Sequence, residues 1–235
     1  MIEVNNITKT YGKKKNTFTA LKDVTLQIPD NTSVAILGKS GSGKSTLMHA
    51  VSGLDKPQEG QVLVNGEDIL KLKARATDKF RAQKMGFIFQ SFFVEAGETC
   101  YENVSLSLET AGAPRRSRRK RIEQALESVE LSDKINVKAK NLSGGQKQRL
   151  AIARAIVGEP DILFADEPTG NLDSATSKVV EDLLFDYQKQ HQASLIIVTH
   201  DEDLASRCQH IIRLKDGEII DVKTKPNRRN KGEVK

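Results

Sequence analysis

Apolar residues fall along this chain in two rhythms. Short, dense apolar runs at residues 2–4, 24–28, 34–37, 62–64, 85–89, 162–165 and 195–198 predict strands. The runs at 34–37, 162–165 and 195–198 are unbroken, as a strand buried on both faces of a parallel sheet requires. Turn residues close several of them: Pro29-Asp30-Asn31 after the second run, and Asn65-Gly66 after the run at 62–64. Asp216-Gly217 sits between residues 211–214 and 218–221 and predicts a hairpin there. The second rhythm is helical. Residues 46–52, stopped by Gly53, and residues 147–157 and 174–189 read as helices. So does the middle of the chain, residues 102–135, where Ile122, Ala125, Leu126 and Val129 recur at helical spacing behind Pro114. Strand, helix, strand with apolar strands predicts a parallel sheet with right-handed crossovers. The expected class is α/β, with an antiparallel β part and a helical insertion.

Composition narrows this to one core. A chain of 235 residues suits a single large domain, and 37% hydrophobic residues is too many for a disordered chain. Runs such as Leu195-Ile196-Ile197-Val198 are far below the ~20 residues of a membrane span. The start, Met1-Ile2-Glu3-Val4, does not read as a secretory signal. Cys100 and Cys208 are far apart in sequence with no Cys/His cluster, so neither a disulfide framework nor a zinc site is expected, and a reducing cytoplasm fits. The net charge of +6 is concentrated in Arg115-Arg116-Ser117-Arg118-Arg119-Lys120-Arg121 and in residues 223–235, which read as a basic, flexible tail. Such clusters attract phosphates of nucleic acid or lipid. The plainer reading, a solvated helix start and a frayed tail, comes ahead of a membrane-surface contact.

The chemistry lies at strand ends. Gly38-Lys39-Ser40-Gly41-Ser42-Gly43-Lys44-Ser45 fills every fixed position of the phosphate-loop pattern, between a buried strand and a helix that starts near Thr46. Glycines let backbone N–H groups wrap phosphate oxygens, Lys44 supplies charge to the β- and γ-phosphates, and the Ser45 hydroxyl is a hard ligand for Mg²⁺. Asp166 and Glu167 end the apolar run at 162–165, at the sheet edge where ligands of such folds sit. Asp166 is placed to hold Mg²⁺ and Glu167 to orient or deprotonate an attacking water.

Leu142-Ser143-Gly144-Gly145-Gln146 resembles the signature motif of ABC ATPases. Physically it is a second glycine- and serine-bearing helix start, fit to hold an anion. The resemblance spans residues 1–222, taken as one ABC ATPase domain with a helical subdomain at roughly 91–157. It implies a phosphate-loop NTPase in which two cassettes sandwich two ATP–Mg²⁺ head to tail, each offering Ser143, Gly144, Gly145 and Gln146 to the other's nucleotide. It implies that Tyr11 stacks on adenine and that Gln90 senses Mg²⁺ and water beside Ser45 and Asp166. It also implies that Asn171-Leu172-Asp173 links the two sites and that His200 reaches the γ-phosphate. Glu167, His200, Gln90 and Lys44 are thereby the catalytic candidates.

Residues 85–90 and 165–173 look like those of the lipoprotein-release, macrolide-export and peptide-resistance ATPases. That resemblance implies a homodimer on the inner face of the cell membrane, touching the membrane only through a separate permease and driving export or mechanical work. Residues 91–99 depart from it: Glu95 and Glu98 stand where relatives carry an apolar segment that docks the permease. A soluble ABC ATPase acting on nucleic acid or ribosomes is the alternative, although such chains carry coiled coils or paired cassettes and no nucleic-acid partner is expected here. A kinase conflicts with the signature.

Overall fold

The computed structural model describes residues 1–13 and 16–225. The chain opens with β1 (Ile2–Lys13), β2 (Asn16–Ile28), β3 (Ser33–Leu37), α1 (Lys44–Val51), β4 (Glu59–Val64) and β5 (Glu67–Asp68). Next come α2 (Ala74–Lys84), β6 (Met85–Phe89), α3 (Cys100–Thr110), α4 (Arg115–Ser128) and α5 (Gly144–Ile156). It closes with β7 (Ile162–Asp166), α6 (Ser174–His191), β8 (Ser194–Thr199), α7 (Glu202–Arg207), β9 (His210–Lys215) and β10 (Glu218–Thr224). Two sheets result. One is antiparallel, in the order β2-β1-β4-β5; the other has the order β10-β9-β3-β8-β7-β6. In the second, β3 pairs in parallel with β8 and β9, and β7 with β6 and β8, while β10 closes the edge antiparallel to β9.

The unbroken apolar runs now have their reason. Successive side chains of a strand point to opposite faces, and both faces of this sheet are covered. Ala35, Leu37, Leu163, Ala165, Leu195 and Ile197 pack against α3, α4, α5 and α6. Their neighbours Val34, Ile36, Ile162, Phe164, Ile196 and Val198 pack against α1 and the antiparallel sheet. The central strands thus divide two cores. Between β6 and β7 the chain builds α3, α4, α5 and two short 3-10 turns, the helical insertion that the sequence indicated.

Helix starts follow local chemistry. Thr99 with Glu102, and Ser143 with Gln146, form reciprocal capping boxes on α3 and α5, and Asp173 and Asp201 cap α6 and α7. The helix after the signature therefore begins at Gly144, three residues before its apolar periodicity does. Two helices were not legible. α2 buries no residue fully, so it leaves no apolar stripe, and α7 is only six residues long. β1 and β2 run well beyond their apolar cores because their polar halves pair with each other as a hairpin. β10 continues to Thr224, past the expected start of the tail, and residues 226–235 of that tail lie outside the described residues. Among the described residues no helix is long and apolar enough to cross a membrane. Cys100 and Cys208 are both buried and free, and burial pushes the Cys208 thiol up to about 12.

Phe164 is the largest fully buried side chain of the central strands, stacked 5.4 Å from Phe87. Truncation there leaves a cavity that the double-sided packing cannot close. Phe164→Ala is expected to destabilise the protein by about 3–5 kcal/mol, read as a lower urea midpoint. An unchanged midpoint would show that the two cores do not depend on this strand.

Candidate active site

Register brings the predicted residues together. Leu37 pairs with Thr199, Asp166 with Val198, and Phe89 with Asp166. Gly38, His200, Glu167 and Gln90, the first residues beyond these strands, therefore leave the sheet within one residue of a common level, with Glu167 level with Thr199. They line a cleft of about 1310 Å³ that also takes in residues 38–46 and Tyr11.

The phosphate loop is shaped by close backbone approach. A Cβ on Gly38 would lie 2.4 Å from the Leu214 carbonyl oxygen, and one on Gly43, at φ 101°, would lie 2.5 Å from that of Ala20. Only glycine fits these positions without a shift. No side chain caps α1, and its first turn carries no acidic residue, so its N–H groups and positive dipole end face the cleft. Lys44 is mostly buried and its Nζ donates to the Lys39 carbonyl at 3.1 Å, inside the loop. Among the described residues the buried Ser42 hydroxyl finds no partner, an orphaned polar group at the floor of a cradle that suits an oxyanion.

Ser45 Oγ donates to Asp166 Oδ1 at 3.2 Å. Burial raises the Asp166 carboxyl above its ordinary range, against the opposing hydrogen bond from Ser45, so a cation beside it would be favourable. Among the described residues no three His, Cys, Asp or Glu side chains converge on a metal position. One hydroxyl and one carboxylate do not suit zinc. They do suit a hard cation that keeps waters and takes phosphate oxygens, as Mg²⁺ does.

Glu167 sits at φ 45°, a left-handed conformation costly for this residue type, with its N–H donating to Val198 O at 2.9 Å. Both of its carboxylate oxygens lie 3.0 Å from His200 Nδ1, and Thr199 Oγ1 donates to Oε2 at 3.4 Å. Gln90 leans the other way. Its carbonyl accepts from Asn171 Nδ2 at 3.0 Å, and its side-chain nitrogen is 3.5 Å from Asn171 Oδ1.

Ser143, Gly144, Gly145 and Gln146 are not brought into this cleft. They form the start of α5, where Ser143 and Gly144 are exposed. Gly145 is pressed against α6, since a Cβ there would meet Thr176 Cγ2 at 2.5 Å. Two further residues belong to the arrangement and were missed in the sequence. Phe18 lies directly opposite Tyr11 in the hairpin and lines the same cleft, which only the strand register reveals. Gln148, fully buried on α5, donates to the Pro168 carbonyl at 2.6 Å and so ties α5 to the segment after Glu167. In the sequence it reads as an ordinary helix position.

This site and fold recur in known proteins. The sequence profile of the ABC transporter family matches residues 21–170. A lipoprotein-releasing system ATP-binding protein LolD of Syntrophus aciditrophicus is 43% identical over 220 residues, covering 94% of this chain and 99% of that protein. A methionine import ATP-binding protein, MetN 3 of Pectobacterium atrosepticum, is 40% identical over 95% of this chain and 65% of its own length. A solved dimeric structure of the ATP-binding cassette MJ0796, in a post-hydrolysis state bound to ADP and Pi, superimposes with a TM-score of 0.88. It is 39% identical and is covered over 95% of this chain and 98% of that one. The chain belongs to the ABC transporter family and is one of its ATP-binding cassettes.

Proposed function

We propose that this chain, as the ATP-hydrolysing subunit of an ABC transporter, pairs head to tail with a second copy and drives a separate membrane permease from the inner face of the cell membrane. The observation that carries this reading is the split between two anion-binding helix starts. The α1 start lies inside the chain's own cleft, while Ser143 and Gly144 at the start of α5 are exposed outside it. A second anion site facing away is useful when it closes over a nucleotide held by another copy.

Within the cleft each residue has a task. Tyr11 stacks on the base. Lys44 and the backbone of residues 38–46 hold the phosphates, and Ser143, Gly144, Gly145 and Gln146 of the second copy cover them. Ser45, Asp166 and Gln90 would hold Mg²⁺, which when bound neutralises phosphate charge. Glu167 orients the attacking water for in-line displacement, and His200, already bonded to that carboxylate, steadies it and reaches the γ-phosphate. Closure excludes water and completes the site.

The relative named for lipoprotein release matches this chain over nearly its whole length, whereas the methionine-import relative is longer. This supports release or mechanical work over import. The basic run does not support a nucleic-acid role, because much of it holds the fold. Arg118 donates to Ala113 O and pairs with Glu109, Arg119 pairs with Glu123, and Arg121 donates to Val157 O.

Residues 91–99 are the proposed permease dock. Their backbone is fixed from below: buried Asn103 bonds both the N–H and the carbonyl of Glu95, and Arg154 donates to the carbonyls of Phe92 and Phe93. What faces out is Phe93, 63% exposed, beside Glu95 and Glu98. The hydrogen bond with Glu102 and that residue's charge raise the Glu98 carboxyl, as expected of crowded acids. A permease helix of basic or polar character fits this surface.

Two outcomes test the proposal. Glu167→Gln is expected to keep ATP binding, to lower turnover by about 100-fold or more, and to accumulate a closed dimer on size-exclusion chromatography. Turnover near the wild-type rate would remove Glu167 from its role. Charge reversal at Glu95 and Glu98 is expected to leave the isolated ATPase intact but to abolish co-purification with the permease. Normal complex assembly in that variant would remove residues 91–99 as an acidic dock.

A further inference from the structure

Tyr11 is 40% exposed near the end of a hairpin strand, a place where a lone aromatic ring would be free to rotate. Here it is not free. Its hydroxyl donates to Asp55 Oδ2 at 2.6 Å, and Asp55 Oδ1 in turn accepts from Lys9 Nζ at 2.5 Å. Lys9 is only 5% exposed; its Nζ also donates to the Lys56 carbonyl at 2.8 Å and lies 5.0 Å from the centre of the Tyr11 ring. Thr46, just past the phosphate loop, lines the same cleft as Tyr11.

Burying an ammonium for stability alone is a poor device, because desolvation offsets most of what its ion pair returns. The protonation states suit an anchor instead. Burial and the bond to Asp55 push the phenol up, so it stays a donor. At Asp55 burial works upward, but hydrogen bonds from Lys9 and Tyr11 outweigh it and keep the carboxylate ionised. The ammonium over the ring also draws electron density toward itself. A cation within about 6 Å of the ring centroid also holds the ring by cation–π attraction, adding to the anchor at its hydroxyl.

We propose that Lys9 and Asp55 are positioning residues for the nucleobase: Asp55 fixes the Tyr11 ring in its stacking pose and Lys9 holds it there, so that together they set how much of the affinity for ATP comes from the base. The inference rests on Tyr11 being the base platform. It separates the base half of the nucleotide from the phosphate half, and each half is testable alone.

The experiment compares binding of ATP with binding of inorganic triphosphate, which lacks a base, by calorimetry on the full chain. Lys9→Met, Asp55→Asn and Tyr11→Phe, the last removing only the exposed anchor hydroxyl, are each expected to weaken ATP binding. The size expected is about tenfold, on the order of one lost stacking interaction, with triphosphate affinity unchanged. In steady state KM for ATP rises while kcat holds, and in a Tyr11→Ala background Asp55→Asn adds nothing. A parallel loss of triphosphate affinity would overturn the inference, as would additive losses in that background. If Tyr11→Ala weakens ATP binding while the Lys9, Asp55 and Tyr11→Phe variants bind normally, the inference alone fails. If Tyr11→Ala binds ATP like the wild type, the reading of Tyr11 beneath it fails as well.

Discussion

Parallel hydrogen bonding among strands that stop at one level is the constraint on which the other features depend. β3, β8, β7 and β6 end within one residue of each other, with Leu37 level with Thr199, Asp166 level with Phe89, and β8 one residue longer than β7. A slip of one residue would exchange the faces of every side chain, sending Ala35 and Leu37 into the core made for Val34 and Ile36. Both faces are packed, so the cost would fall on both cores at once. The same register brings the first residue beyond each strand to within one residue of its neighbours. Catalytic geometry here is set by the packing of residues that never touch a substrate.

Much of the site was legible because its motifs are local. A glycine-rich loop, a carboxylate pair ending an apolar run and a capping-box helix start each occupy a few consecutive residues. Their physics, whether close backbone approach, strand-end exposure or an anion-binding dipole, is visible without neighbours. What stayed hidden depends on residues far apart in sequence. Phe18 matters because a hairpin places it beside Tyr11, and Asp55 because a loop after α1 brings it to the hydroxyl of that tyrosine. Gln148 is informative only once the carbonyl of Pro168 lies against it. Among the elements, α2 was invisible because helix periodicity reports burial and that helix has no fully buried face.

The two helix starts proposed to hold anions are built differently. α1 has no side-chain cap, so its amides are held in reserve for whatever enters the loop. α5 is finished by its own residues, since Ser143 accepts from Gln146 N at 3.2 Å and Gln146 Oε1 accepts from Ser143 N at 2.9 Å. A serine hydroxyl that accepts one bond still has its own proton to donate. Ser143 can therefore hold its helix start rigid and address an anion simultaneously, and α5 need not reorganise to do so.

The bond from Gln148 to Pro168 has a mechanical meaning. It is buried, so water cannot substitute for it while it breaks, and it joins α5 to the backbone one residue after Glu167. The close contact of Gly145 with Thr176 braces the same helix a turn earlier, against the start of α6. These two points of attachment tie α5 both to the strand end and to the start of α6. In the head-to-tail pair proposed above, the helix start that one copy lends to its partner is thus fastened to the strand end that carries its own Glu167.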